Sequence, residues 1–267
     1  MNANPSISLI FVNYRSARYL AVALESLFSF ERSTDFFEII VVNNDPSESA
    51  TLQSLQQATP FFLIENNENS GFSRAGNLGA KQAKGELLGF INPDVLWMGA
   101  SLRKIAHVFG EDSQAGVLGM MLLDEKKRPE VWSAGPDPSL VALLLNNLFP
   151  LRKKFSAEKK AFSVVWVSGG ALFIRRGLFA DIGDFDERFF LYFEDVDLCK
   201  AVRKLGFSVV CHPEFPLIHL GGKSQESKRL QKKHYYDSQE KYFEKHRPAW
   251  ERIVLKFFHF FFCKRQL

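Results

Sequence analysis

Asn69-Ser70-Gly71-Phe72-Ser73-Arg74-Ala75-Gly76-Asn77-Leu78-Gly79, followed by Leu87-Leu88-Gly89-Phe90-Ile91-Asn92-Pro93-Asp94, decides the fold. The first stretch reads as a glycine-loosened turn entering a short helix. The second reads as an apolar strand that stops abruptly in polar and acidic side chains. In an open α/β sheet, ligands collect in the crevice beyond the carboxyl ends of the strands. A carboxylate there, beside a turn rich in glycine and asparagine, suits a metal-chelated phosphate ligand.

The same alternation runs outward from this stretch. Ile7 to Val12, Phe37 to Val42 and Phe61 to Ile64 read as strands, with helices at Ala17 to Phe28, Glu48 to Ala58 and Ser73 to Ala83. A helix at Gly99 to Phe109 and a strand at Val117 to Leu122 follow. Continuous apolar strands alternating with helices predict a parallel sheet covered on both faces. The middle is less regular: an apolar run at Leu140 to Leu148, then basic Arg152-Lys153-Lys154 and Lys159-Lys160. Strand-like runs at Val164 to Val167 and Ala171 to Arg175 flank Gly169-Gly170. A helix is expected from Val196 to Leu205, closed by Gly206, then two short strands at Phe207 to Cys211 and Phe215 to Ile218.

Composition narrows the class. A chain of 267 residues with 46% hydrophobic content is globular and large enough for a well-buried core. A net charge of +4 is too mild for a dedicated nucleic-acid binder, and no nucleic-acid partner is expected. Cys199, Cys211 and Cys263 show neither paired nor metal-ligand spacing, so they read as reduced thiols. No export signal and no membrane-spanning run is recognised. The expected location is therefore cytoplasmic.

Each early strand ends in groups that can hydrogen-bond a nucleotide: Asn13 and Tyr14, then Asn43, Asn44 and Asp45, then Asn69 and Gly71, then Asn92 and Asp94. A single Asn or Asp in such a place is usually a cap or turn residue. The same chemistry at four successive strand ends favours ligand contact. There is no Gly-x-Gly-x-x-Gly after the first strand and no Walker lysine loop, which weakens dinucleotide and P-loop readings.

With these residues in place the chain resembles the family 2 inverting glycosyltransferases of GT-A type, in particular their rhamnosyltransferase-like branch. The resemblance spans roughly residues 6 to 224 and rests on motifs in order. They are Phe11-Val12-Asn13-Tyr14, Val41-Val42-Asn43-Asn44, Asn69 to Gly79, Asn92-Pro93-Asp94, Val167-Ser168-Gly169-Gly170-Ala171, Gly183 to Leu198, and His219 to Ser224. It implies an α/β GT-A fold, with a Rossmann-like, mostly parallel central sheet and helices on both faces. The catalytic domain would cover residues 1–224, and 225–267 would form a basic, aromatic helical tail.

The resemblance also assigns roles. Asn92-Pro93-Asp94 stands where such enzymes usually carry Asp-x-Asp, so Asp94 would ligate Mg²⁺ or Mn²⁺ on the donor diphosphate. His219 would be a further ligand, and Lys223 and Ser224 would steady the diphosphate. Asn43 replaces the usual Asp, its carbonyl accepting from a pyrimidine imide. Arg74 and Asn77 match positions near base and diphosphate. Gly169 and Gly170 would let backbone approach a sugar closely, and Asp186 and Glu187 would face the acceptor. Inversion needs a base for the acceptor hydroxyl; the resemblance maps it to Asp195, with Glu194 in reserve.

The implied partners are a nucleoside-diphosphate sugar, dTDP-L-rhamnose among them, and a glycan or polyprenyl-diphosphate-linked acceptor in cell-surface polysaccharide synthesis. The tail allows two readings: an interfacial segment on anionic lipid at the inner face of the membrane, or a helix whose Phe face packs back on the domain. A competing function is a non-catalytic module that binds nucleotide sugar or glycan, suggested by asparagine at 43 and 92.

Overall fold

The structure, a computed structural model, describes residues 6–31, 35–142, 160–221 and 227–260. The first half alternates as expected. β1 (Ile7–Asn13) leads to α1 (Ala17–Phe30), β2 (Phe37–Asn43) to α2 (Ser49–Ala58), and β3 (Phe62–Glu65) to α3 (Gly71–Gln82). β4 (Leu87–Ile91), β5 (Val95–Trp97), α4 (Leu102–Glu111) and β6 (Ala115–Leu123) follow. The second half holds β7 (Ala134–Gly135), β8 (Phe162–Ser163), β9 (Trp166–Val167), β10 (Ala171–Arg175) and α5 (Arg176–Asp181). It closes with α6 (Glu194–Lys204), β11 (Ser208–His219), α7 (Lys228–His246) and α8 (Ala249–Phe258). Of the apolar run at 140–148, residues 143–148 lie outside the described residues.

The main sheet has the order β3-β2-β1-β4-β10-β6-β11-β5, with β8 pairing off β11. β1 to β4 pair in parallel, and β11 lies parallel to β6. The expected parallel sheet is broken at its centre, where β10 runs antiparallel to both β4 and β6. A strand buried on both faces is continuously apolar in either direction, so its sequence carries no sign of polarity. The two short strands expected after Gly206 are one strand, β11, whose register shifts between His212 and Pro216. Pro213 and Pro216 supply no N–H to the ladder, which explains both the shift and its reading as a break.

Strand side chains divide by parity between two cores. Ile7, Leu9 and Phe11 pack with Leu20, Leu24 and Leu27 of α1 and with Leu102, Ile105 and Phe109 of α4. Ile10, Val12, Val42 and Phe90 face the opposite way, toward Ala75 of α3 and toward Leu198, Cys199 and Val202 of α6. Burial of each such aliphatic side chain contributes roughly 1.5–3 kcal/mol. A third cluster ties the tail to the domain: Tyr242 and Phe243 of α7 and Leu255 of α8 pack on Phe189, Phe193 and Val196. Lys245 and His246 reinforce it by bonding both oxygens of Asp197, at 2.8 and 2.5 Å.

Gly71 joins the turn before α3 to the segment before α6. Its φ is +82°, and a Cβ there would lie 2.4 Å from the Phe190 carbonyl oxygen, which already accepts from Phe72 N at 2.7 Å. Gly71→Ala is expected to cost about 2–4 kcal/mol, combining left-handed backbone strain with overpacking. Denaturant unfolding measures it, and an unchanged midpoint would show that the two loops are not joined in this way.

Candidate active site

The ends of β1 and β2 are built from asparagines that hold one another. Asn13 Nδ2 donates to Asn43 Oδ1 at 3.1 Å and to Glu48 Oε2 at 2.8 Å. Asn43 Nδ2 donates to Glu65 Oε2 at 2.8 Å and to Ser49 Oγ at 3.2 Å, while its Oδ1 also accepts from Asp45 N. Both side chains are fully buried, and the Asn43 carbonyl oxygen is taken up by Asn13 and the Asp45 N–H. Asn44 donates to the Gly71 carbonyl at 3.1 Å and accepts from Asn66 at 2.9 Å, and Asn69 accepts from Gly71 N at 3.1 Å. This mesh locks the turn before α3 against β2. Tyr14 sits half-buried at the rim with the Arg15 guanidinium 5.2 Å from its ring centroid.

Beyond β4 the chain converges from four directions. The antiparallel insertion of β10 brings Gly170 to Asn92, whose N–H donates to the Gly170 carbonyl at 2.9 Å. β5 pairs with β11 and sets Val95 opposite His219. His219 Nε2 thereby lies 3.4 Å from Asp94 Oδ1, and its Nδ1 lies 2.9 Å from Glu130 Oε2. From the other side α6 begins at Glu194, after Tyr192 and Phe193 in left-handed backbone at φ 69° and 67°. Consecutive left-handed residues without glycine are strained, and such strain collects at functional sites. Here the strain aims the first turn of α6 at Gly169, whose N–H donates to Asp195 Oδ2 at 2.7 Å.

Asn92, Gly169, Gly170, Glu194, Asp195 and His219 thus line one cavity of about 1160 Å³. Trp132, Trp166, Tyr192 and Phe193 give it apolar walls, and Lys228, Gln231, Lys232 and Tyr235 of α7 close one side. A volume of this order holds a sugar with part of a larger substrate.

The two acidic side chains at the head of α6 differ in their surroundings. Burial, then the charge of Asp195, drives the Glu194 carboxyl well above the usual carboxylate range. Its Oε2 is buried with no hydrogen-bond partner. Burial also raises Asp195, but N–H groups of Gly169 and Val196 bond its two oxygens and favour its charge. Glu194 is therefore the member of the pair that keeps a proton, and Asp195 the one that ionises first. Burial alone would lower His219, yet its bonds to Asp94 and Glu130 hold it protonated, up to about 10.

Other expected residues go elsewhere. Asp186 and Glu187, expected to face the acceptor, line a separate cavity of about 410 Å³ with Asn77, Asp197 and Lys245. Asp186 is held there by Arg188 at 2.5 Å and Lys245 at 2.7 Å. Asn77, expected near base and diphosphate, bonds the Phe185 backbone at both its N–H (3.0 Å) and its carbonyl (2.9 Å), clamping that loop onto α3. Arg74 is exposed on α3. Lys223 and Ser224 lie outside the described residues. Glu130 and Asn66 escaped the sequence reading, each in a segment with no periodic signal; the tail helix is expected, but not that its first turns wall the cavity. Only the contact with His219 marks out Glu130.

A fit for a divalent ion rests on Asp94, a hard carboxylate at a strand end, and on His219, which would ligate only as neutral imidazole, so that an ion would displace the proton its Nε2 shares with Asp94. Among the described residues no group of three His, Cys, Asp or Glu is arranged as a metal cage. An ion such as Mg²⁺ would be held by one or two carboxylates together with substrate phosphates.

The comparisons with known proteins point one way. A family model described as glycosyl transferase family 2 matches residues 8–183. The chain is 27% identical over 236 residues to the N-acetylglucosaminyl-diphospho-decaprenol L-rhamnosyltransferase of Mycobacterium tuberculosis, covering 80% of this chain and 75% of that protein. It is 23% identical to the rhamnosyltransferase WbbL of Escherichia coli, covering 80% of this chain and 83% of the relative. Among solved structures it resembles the mannosyltransferase PcManGT from Pyrobaculum calidifontis in complex with GDP-Man and Mn²⁺, at TM-score 0.63 and 16% identity. That match covers 91% of this chain and 64% of the other. GalNAc-T7 with UDP, GalNAc and Mn²⁺ superposes at TM-score 0.65 and 14% identity, over 85% of this chain and 46% of that one.

Proposed function

We propose that this chain, which belongs to glycosyl transferase family 2, transfers a sugar with inversion from a dTDP- or UDP-linked donor, L-rhamnose foremost. The acceptor would be a hydroxyl on a glycan or a polyprenyl-diphosphate-linked sugar, in cell-surface polysaccharide synthesis. Its GT-A fold supplies the strand-end crevice for the donor. The observation that carries the reading is the meeting of Asp195, Asn92 and His219 around one cavity with small-residue walls at Gly169 and Gly170. Relatives named as rhamnosyltransferases support the donor sugar, and one of them is named for a decaprenol-linked substrate.

In this reading Asp195 takes the proton of the attacking acceptor hydroxyl. The Gly169 and Val196 N–H groups fix both carboxylate oxygens, so the base is oriented before substrate arrives. Glu194, holding its proton, keeps a second negative charge away from that oxygen. The aromatic walls exclude water from the nucleophile. Asp94 and His219 would hold a divalent ion, which supplies charge neutralisation on the departing nucleoside diphosphate.

The test is release of nucleoside diphosphate from a panel of dTDP- and UDP-sugars, with and without Mn²⁺, given a polyprenyl-diphosphate-linked acceptor. Release with dTDP-L-rhamnose is expected. Tight donor binding with no release from any donor would instead favour the non-catalytic module.

The acid limb of the rate profile is also fixed in sign. A raised Asp195 is protonated at higher pH than an ordinary aspartate, so activity falls on acidification above the usual value of about 3.9. A limb at or below that value in a pH series of kcat/KM would contradict the assignment.

A further inference from the structure

We propose that α8 is a docking surface for anionic lipid. Its apolar residues recur at helical spacing, yet the stripe faces outward. Trp250 is 58% exposed, Ile253 69% and Phe257 60%, with Val254 and Phe258 also exposed. The residues turned inward are Leu255 and the carboxylate Glu251, which accepts from Leu140 N at 3.2 Å. An ordinary surface helix does the reverse, burying its apolar stripe and exposing its acids. Exposed apolar area gathered in this way marks an interaction surface.

Charge selects the occupant. α8 runs antiparallel to α7: Arg252 pairs with Glu244, and the His259 ring bonds Glu240 and Gln239. The far end of α8 therefore comes alongside the middle of α7, at Gln239 and Glu240. Beyond it, about two to three turns toward the start of α7, Lys228, Arg229, Lys232 and Lys233 are exposed, and Lys256 is exposed on α8 itself. An apolar stripe that carries Lys256 and points toward the exposed cations at the start of α7 matches the boundary between anionic headgroups and acyl chains. Among the described residues no helix is long and apolar enough to cross a membrane, so the stripe would lie in the interface plane.

The cation-bearing end of α7 is also the one that walls the cavity, through Lys228, Lys232 and Tyr235. Docking would therefore hold the cavity mouth against the headgroup layer. This last step rests on the lipid-linked acceptor proposed above; docking itself does not.

The experiment sediments the full chain with phosphatidylcholine vesicles, with and without phosphatidylglycerol, alongside the variant W250E/I253E. The expected result is capture by the phosphatidylglycerol vesicles that weakens as salt rises. The variant is expected to lose at least about tenfold in vesicle affinity with an unchanged Tm, since both side chains are exposed. Wild type that stays in solution, or a variant captured as well as wild type, overturns the proposal. So does a variant that dissolves a dimer while vesicle capture persists. Nucleoside diphosphate release with a water-soluble acceptor analogue separates the two readings: the variant should keep that activity. Vesicle capture by a chain that never releases product would sink the transferase reading and leave docking in place.

Discussion

Asp195→Asn is expected to lower transfer by about a thousandfold, while Glu194→Gln stays within about tenfold of the parent. The two side chains are adjacent, both acidic and both at the head of α6, so identity alone does not separate them. Their hydrogen bonds do. Asp195 receives the Gly169 and Val196 N–H groups, which stabilise a carboxylate and would still bind the one oxygen that Asn retains. The amide that replaces it cannot take a proton, so the fold survives and the base is gone. Glu194 is neutral by burial and by its neighbour's charge, and glutamine reproduces its size and neutrality. Donor binding by thermal shift should persist in both variants. The reverse order of activities would hand the role of base to Glu194.

Asp94→Ala should cost transfer about a hundredfold or more and abolish its response to Mn²⁺, because the charge that would face the donor diphosphate disappears. His219 would then keep only Glu130 as its acidic neighbour. Glu130→Gln tests the arrangement from behind: removing the carboxylate that orients His219 Nδ1 should weaken the metal response about tenfold without abolishing it. A Mn²⁺ titration of the transfer rate reads both. Wild-type metal dependence in Asp94→Ala would detach that residue from the ion, leaving the assignment of Asp195 intact.

Local chemistry made much of this protein legible. Ile7 to Val12 and Leu87 to Ile91, short apolar runs bounded by Pro, Gly or Asn, read as strands buried on both faces, and Leu20, Leu24 and Leu27 as one face of a helix, as the structure has them. Asn92-Pro93-Asp94 and Glu194-Asp195 stood out because charge interrupts apolar runs there. Distant pairing was not legible. Val95–Trp97 is too short for any period to declare it a strand, yet its pairing with β11 is what carries His219 to Asp94. Asp186 and Glu187 look like companions of Asp195 in sequence, but Arg188, Lys245 and Asn77 draw them to another cavity.

The amino-acid order by itself determined which segments are strands and helices and which carboxylates end them, because burial period and capping act over a few residues. Tertiary structure alone decided that β10 enters the sheet backwards, that Glu130 stands behind His219, and that the apolar stripe of α8 points outward. Those outcomes follow from which surfaces meet across many tens of residues, where a side chain's chemistry is the same whichever neighbour it finds.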